Sequence, residues 1–251
     1  MIDYKVVIPS YQRENMIQEK TLLLLEKYSI SPEKVYVFTA NEQEQENYVK
    51  ALKNNKYNQN IIQGVPTLRD QRNFVEQEYF KEGDYIVYMD DDIDSIKKKV
   101  GENKLAEIDN FEDELIFKGY EHMLEHNAFI WGLYAASNPF FMKDRINTNL
   151  CYIIGALFAV RIQKDDFLKR ITNHGEDYEY SIRQYIKNKS VVRFDTYTPI
   201  TKYFSTGGLQ EVRNDKYIYD SIRLIEKTFP NYCSLYFRKT GRAELKLKEK
   251  K

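Results

Sequence analysis

DYIVYMDDDIDSIKKK, residues 84–99, is the stretch on which the reading of this chain turns. Residues 85–89 are apolar and favour a strand. Asp90, Asp91 and Asp92 follow at once, Asp94 stands two places further on, and lysines come after it. A strand that ends on three like charges is costly, because each carboxylate repels its neighbours and burial penalises the ionised form of all three. Water, a cation, or a ligand that brings a cation must offset that cost. The plain alternative is a polar loop in which one aspartate caps a turn, but turns rarely need more than one cap. Hard divalent cations such as Mg²⁺ and Mn²⁺ take carboxylate oxygens, often only one or two from protein and the rest from water and phosphate. Alternate residues of an extended segment face the same way. Asp90 and Asp92 are therefore expected to face one cation together, with Asp91 directed elsewhere.

Upstream, the chain alternates. KVVIPS (5–10), KVYVFTA (34–40) and QNIIQG (59–64) read as strands. ENMIQEKTLLLLEKY (14–28), NEQEQENYVKAL (41–52) and TLRDQRNFVEQEYF (67–80) read as helices, the second opened by Asn41 in the N-cap role. The segment before the aspartates is then the fourth strand. Such alternation with short connections predicts right-handed crossovers and a mostly parallel sheet with helices on both faces. Ligands bind such sheets at the carboxyl ends of the strands, where the aspartates sit. After Lys99 the pattern loosens. Helices are expected over 110–127, 163–171, 176–188 and 215–229, and strands over 128–136, 151–162 and 190–195, with a polar loop, SNPFFMKDRINTN, at 137–149. No repeat or linker interrupts the chain, so one domain spans 1–251.

With 251 residues the chain can bury a substantial core. Its net charge is zero, so no global field draws it to nucleic acid, although a local groove can still be basic. The basic stretch 238–251 is read as a solvated end. Cys151 and Cys233, with no CxxC, exclude a disulfide framework and point to a reducing compartment. No leader pattern opens the chain and no apolar run approaches the ~20 residues of a membrane helix, so a cytoplasmic protein with no membrane partner is expected. Walker and GxGxxG loops are absent. Three chemistries suit the acid cluster: sugar transfer from a nucleoside diphosphate sugar, phosphoryl transfer of the haloacid-dehalogenase kind, and two-metal nuclease chemistry. The dehalogenase pattern places its DxD after the first strand, and here the acids follow the fourth.

VVIPSYQR (6–13), GVPTLRDQRNFV (64–75), YIVYMDDDID (85–94) and GEDYEYSIR (175–183) together resemble, in order and spacing, the GT-A-fold glycosyltransferases over roughly residues 6–208. IPSYQR, RDQRN, MDDDI and TKYFSTGG (201–208) are similar more narrowly to the TET-associated glycosyltransferases, phage and viral enzymes that glycosylate hydroxymethyl-pyrimidines in DNA. The resemblance implies an α/β, Rossmann-like GT-A fold. Residues 1–99 would form its nucleotide-sugar half, 100–240 its acceptor half and 241–251 a basic tail. It implies a UDP-sugar donor, Mn²⁺ or Mg²⁺ as cofactor, and a modified DNA base as acceptor. A glycan or protein hydroxyl, or a silent nucleotide-sugar-binding scaffold, are the alternatives.

Carried over by position, Pro9, Ser10, Tyr11 and Arg13 would form the nucleotide loop, and Arg72 and Asn73 would brace the nucleotide. Asp92 would ligate the metal directly, with Asp90 on ribose or a bound water and Asp91 beside them. Gly155 and Ala156 would admit the donor sugar. Glu176 and Asp177 would be the acid pair, one of them taking the acceptor proton with inversion. Lys202, Tyr203, Ser205, Gly207 and Gly208 would close over the diphosphate, with Lys202 or Arg69 adding positive charge. Many relatives add a late histidine to the metal shell. This chain has none there, and His174 is the candidate that could reach metal or acceptor. Phe140 and Phe141 could stack on a base while Lys143 and Arg145 meet phosphates, or the phenylalanines could tuck into the core. Plainer readings stand beside these. Arg72 could be an exposed residue paired with Glu76 at i+4. Glu176 and Asp177 could simply start a helix, and Gly207 and Gly208 could make a turn. His122 and His126, four apart on one helix face, could be a zinc pair, but are read as solvated surface.

Overall fold

The computed structural model describes residues 2–201 and 214–248. The early alternation is realised as β1 (Tyr4–Pro9), α1 (14–27), β2 (Val35–Thr39), α2 (Glu42–Ala51), β3 (Ile61–Gln63), α3 (68–79) and β4 (Tyr85–Met89). β1 lies parallel to both β2 and β4, and β2 is parallel to β3. Every residue of β4 is buried, as its unbroken apolar run requires of a strand covered on both faces. Asn41 caps α2, its side chain accepting the Glu44 N–H at 2.9 Å.

The second half contributes β5 (Ile93–Gly101), β6 (Lys104–Glu107), α4 (112–125), β7 (Ile130–Leu133), β8 (Ile146–Asn147), β9 (Leu157–Arg161), α5 (Glu176–Asn188), β10 (Val192–Phe194), β11 (Tyr197–Thr201), α6 (Asp215–Thr228), β12 (Cys233–Phe237) and β13 (Ala243–Leu247). The main sheet has eight strands in the order β3-β2-β1-β4-β9-β7-β10-β8. β9 runs antiparallel between β4 and β7, and β8 is antiparallel at the edge; the other strands share one direction. Alternate residues sort to two cores. Val6, Ile8, Val87 and Met89 pack with Leu25, Leu115 and Met123 on one face. Val7, Ile86 and Tyr88 pack with Val75 and Tyr180 on the other. Gly132 and Tyr88 both pair with Phe158, so β7 and β4 end level with each other. The loop after β7 therefore leaves from the same edge as the aspartates. β5 carries the chain away from them in a smaller sheet, β11-β5-β6.

Three expectations differ. The strand read over 151–162 is confined to Leu157–Arg161. The helix expected over 163–171 is a single tight turn, Asp166–Leu168. Its continuation is pre-empted because the Glu179 carboxylate accepts the N–H groups of Ile171 and Thr172 at 2.9–3.0 Å, while Arg170 turns inward. The basic end is no solvated tail through 247. β13 pairs antiparallel with β12, and Leu245 is buried against Ile218, Ile222 and Ile225. Both cysteines are buried and free. Among the described residues no helix is long and apolar enough to cross a membrane.

Candidate active site

At the end of β4 the Asp90 N–H donates to Ala156 O at 2.8 Å. Thr21, fully buried on α1, clamps the turn that follows. Its hydroxyl donates to Asp90 O at 2.7 Å and accepts the Ile93 N–H at 3.0 Å. It sits in a widened turn of α1, Gln18–Leu22, and such π-type turns often adjoin functional sites.

The three carboxylates diverge. Asp91 is buried and accepts from Ser10 Oγ at 2.6 Å and from Arg13 Nη1 at 2.9 Å, and it shares that guanidinium with Asp92, whereas Asp90 faces a different one. Arg13 lies 3.5 Å from Asp92 as well, so the guanidinium matched to the nucleotide loop is engaged by these acids. Asp90 faces Arg72 at 3.6 Å. Burial pushes the Asp90 carboxyl up to about 7; Arg72 opposes the rise and the neighbouring aspartates add to it. Asp91 and Asp92 are also raised, mainly by burial, with Arg13 opposing in both.

Arg72 is no surface residue, being 1% exposed. It binds Glu176, donates to Gly155 O at 2.7 Å and reaches Asp90, so the surface pairing with Glu76 does not occur. Glu76 accepts instead from Arg170 at 2.9 Å and from the Tyr180 hydroxyl at 2.5 Å. Arg170 also lies 3.1 Å from the second Glu176 oxygen and stacks over Tyr180 at 3.6 Å. A continuous chain, Asp90–Arg72–Glu176–Arg170–Glu76, with every member but Asp90 buried, thus ties the end of β4 to α3 and to the start of α5. Arg170 and Thr21 were not anticipated, and nothing local marks either as special.

Gly175, in the left-handed region at φ +72, delivers the acid pair onto the first turn of α5. The pair therefore does start a helix, but its two members differ. Glu176 is buried between two arginines. Asp177 is partly exposed, accepts from Tyr152 OH at 2.5 Å and from the Gly155 N–H at 3.3 Å, and has its carboxyl raised by burial and by Glu176. Tyr152, another residue not anticipated, is held by stacking on Tyr178 at 3.9 Å. Gly155 keeps this approach open, because a Cβ there would stand 3.0 Å from Arg72 Nη1 and 3.2 Å from Glu176 Oε1 and would press on both.

The remaining candidates divide. Tyr11 is exposed beside Pro9 at the end of β1. Asn73 exchanges hydrogen bonds with the Arg170 backbone at 2.9 and 3.0 Å, so its amide braces that loop. Arg69 pairs with Asp70 at 2.8 Å. His174 is half-buried in the turn before α5 and does not join Asp90 and Asp92 in a three-ligand cluster among the described residues. Phe140 and Phe141 are 72% and 56% exposed, so they do not tuck into the core. Lys99 holds their loop, donating to Pro139 O at 2.8 Å and Met142 O at 2.7 Å. Lys202, Tyr203, Ser205, Gly207 and Gly208 lie outside the described residues. Asp90 and Asp92 suit a divalent cation on the chemistry of the set: hard oxygen donors crowded in one turn, each raised by burial that an added positive charge would offset.

The arrangement has the architecture of the GT-A glycosyltransferase fold. S. aureus TarS 1–349 in complex with UDP-GlcNAc matches with a TM-score of 0.58 at 17% identity, over 92% of this chain and 67% of that one. The mannosyltransferase PcManGT of Pyrobaculum calidifontis, with GDP-Man and Mn²⁺, matches at 0.53 and 12% identity, over 81% of this chain and 58% of its own. Mannosyl-3-phosphoglycerate synthase of Rubrobacter xylanophilus matches at 0.52 and 9% identity, over 98% of this chain and 84% of its own. No family model and no curated protein matches the sequence.

Proposed function

We propose that this chain is a metal-dependent, inverting glycosyltransferase that moves a sugar from a UDP-sugar to an acceptor hydroxyl. One observation carries the reading. A single buried guanidinium, Arg72, contacts both the strand-end aspartate and Glu176 of the acid pair, so the element that would hold a nucleotide diphosphate and the helix start that would activate an acceptor are built as one unit. Two of the structural neighbours are complexes with nucleotide sugars, which supports the donor class.

Asp92 and Asp90 would hold a divalent ion, which when bound supplies positive charge to the departing diphosphate. Ser10 and Arg13 fix Asp91 and thereby the shape of the turn. Asp177 is the base. It is the pair member not locked between arginines, burial and the neighbouring Glu176 raise its carboxyl above the usual carboxylate range and so make it more basic, and Tyr152 aims it. Glu176 is the anchor that orients α5. Positioning and electrostatics carry most of the rate, and the base adds about 10²–10⁴-fold.

For the acceptor we propose a 5-hydroxymethyl-pyrimidine in DNA, on the resemblance to the TET-associated enzymes. The exposed Phe140 and Phe141, with Lys143 in the same loop on the edge the aspartates occupy, support it, and Arg145 follows them, held by Asp195 at 2.8 Å. Base stacking on an aromatic contributes roughly 1–3 kcal/mol. The test is incubation with a panel of UDP-sugars and hydroxymethylcytosine DNA, followed by nucleoside mass spectrometry. A glycosylated nucleoside is expected. UDP release on glycan or protein acceptors with unmodified DNA throughout would move the acceptor, and no transfer from any donor would overturn the reading.

A further inference from the structure

The end of α4 reads HMLEH, residues 122–126. His122 Nδ1 lies 3.0 Å from Glu125 Oε2, and His126 Nε2 lies 3.8 Å from the same oxygen. A tetrahedral ion with bonds of about 2.0–2.1 Å has ligand–ligand edges of about 3.4 Å, and the two distances bracket that value. Among the described residues this is the one group of three His, Cys, Asp or Glu side chains whose ligand atoms all lie within 4.8 Å of one another. The arrangement is held before any ion arrives. The His126 N–H donates to His122 O at 3.0 Å, which locks the two positions one turn apart. The rings lie 18° from parallel with centroids 6.1 Å apart, and the His122 ring is packed edge-on against Phe194 at 5.8 Å.

We propose that His122, Glu125 and His126 form a metal site for a borderline divalent ion of the Zn²⁺, Ni²⁺ or Cu²⁺ class. Imidazole ligands select these ions, whereas the all-carboxylate cluster at the end of β4 suits Mg²⁺ or Mn²⁺. The fourth position is open to water, since both histidine side chains are about a third exposed, at 28% and 35%. The site is separate from the aspartates. β7 begins at Ile130, which is level with Ile86 because both pair with Val160, and runs from there toward the edge where Asp90 lies. His126 comes four residues before β7 and His122 packs on Phe194 of β10, so the cluster lies across β9 and β7 from β4, and none of its ligand atoms belongs to the aspartate turn. A bound ion clips the end of α4 to the turn that leads into β7.

The test is a Zn²⁺ titration by calorimetry of the tag-free, chelator-treated protein in excess Mn²⁺, alongside His126→Asn, His122→Ala, Glu125→Gln and Asp92→Asn. One Zn²⁺ per chain is expected, unaffected by Mn²⁺ and retained in Asp92→Asn. Losing even a supporting partner of a metal ligand costs about 10- to 100-fold in affinity, so each change at the cluster weakens binding by at least that much. His126→Asn guards against misfolding, because asparagine is well tolerated where a helix ends. The unaltered protein gives a second readout, the intense visible absorption of tetrahedral Co²⁺. Zn²⁺ binding that survives both histidine changes, its absence in the parent, or Co²⁺ absorption typical of an octahedral site would each overturn the proposal.

Discussion

Asp90→Asn in the metal-free protein is the most direct probe of the strand-end charge. Asp90 is held up to about 7 mainly by burial and its acidic neighbours, even though Arg72 is 3.6 Å away. In the unfolded chain its pKa is about 3.9. Between these values the folded state keeps a proton that the unfolded state has lost. Stability is therefore highest below about pH 4 on account of this group, falls as pH rises toward 7, and is flat above. The interval from about 3.9 to about 7, taken whole, corresponds to about 4 kcal/mol. The Asp90 side chain is 39% exposed, so solvent screens much of this, and about 1–2 kcal/mol is the expected size. Asparagine mimics the protonated form. In EDTA at pH 8 the variant should be more stable than the parent by that amount, and at pH 4 the two should coincide. Urea denaturation at stepped pH reads both. Mn²⁺ should reverse the order, stabilising the parent and not the variant. A variant less stable than the parent at pH 8 without metal, or an unchanged pH slope, would show that Arg72 satisfies the ionised carboxylate and that no cation is needed to do so.

Asp177→Asn should bind donor normally and melt within a degree or two of the parent, while losing about 10²–10⁴-fold in turnover; a steady-state assay with a melting curve decides it, and full activity would leave Asp177 only a helix start. Glu176→Gln should instead cost about 3–5 kcal/mol in stability, because it leaves Arg72 and Arg170 buried beside a neutral amide; denaturation that matches the parent would remove the anchor role. Gly155→Ala should cost about 1–3 kcal/mol and depress turnover, since the new methyl meets Arg72 and Glu176; calorimetry and kinetics check it together. Lys143→Ala with Arg145→Ala should weaken binding to hydroxymethylated DNA and reduce the slope of log affinity against log salt by about 0.9 for each phosphate no longer neutralised, leaving donor binding unchanged; an unaltered slope would point to a glycan acceptor.

The fold was legible where its causes are local. Apolar runs, helix periodicity and the Asn41 cap each act within a few residues, and β1–β4 and their helices fall where those signals put them. The direction of β9 is different in kind. Its residues would suit either orientation, and only its placement between β4 and β7 makes it antiparallel. The helix expected over 163–171 had local support but yielded to Glu179, which takes the backbone N–H groups that such a helix would need next. The lysines of β5 hid a strand because Lys97, Lys98 and Lys99 read as a solvated run, whereas they are half-buried and follow the buried Ile93, Ser95 and Ile96.

The site was legible as residue types and illegible as roles, and the arginines show why. Arg72 and Arg170 sit in segments where an arginine reads as surface, yet they are 1% and 2% exposed. Glu176 lies 104 residues from Arg72 and Glu76 lies 94 from Arg170, so no short window contains those pairs, and only the contact of Arg170 with Glu176 is local. Such pairs are poor stabilisers. Desolvating them costs several kcal/mol per ion, and an apolar core of equal volume would often be as stable. What an apolar core cannot do is fix one carboxylate against another. With Glu176 held from both sides by α3 and the Arg170 loop, the first turn of α5 cannot rotate without stranding a buried charge. Asp177 is thereby held at a set place relative to Asp90, through a contact that a Cβ at residue 155 would crowd. The charge network exchanges stability for position, which is the exchange that a site working by orientation requires.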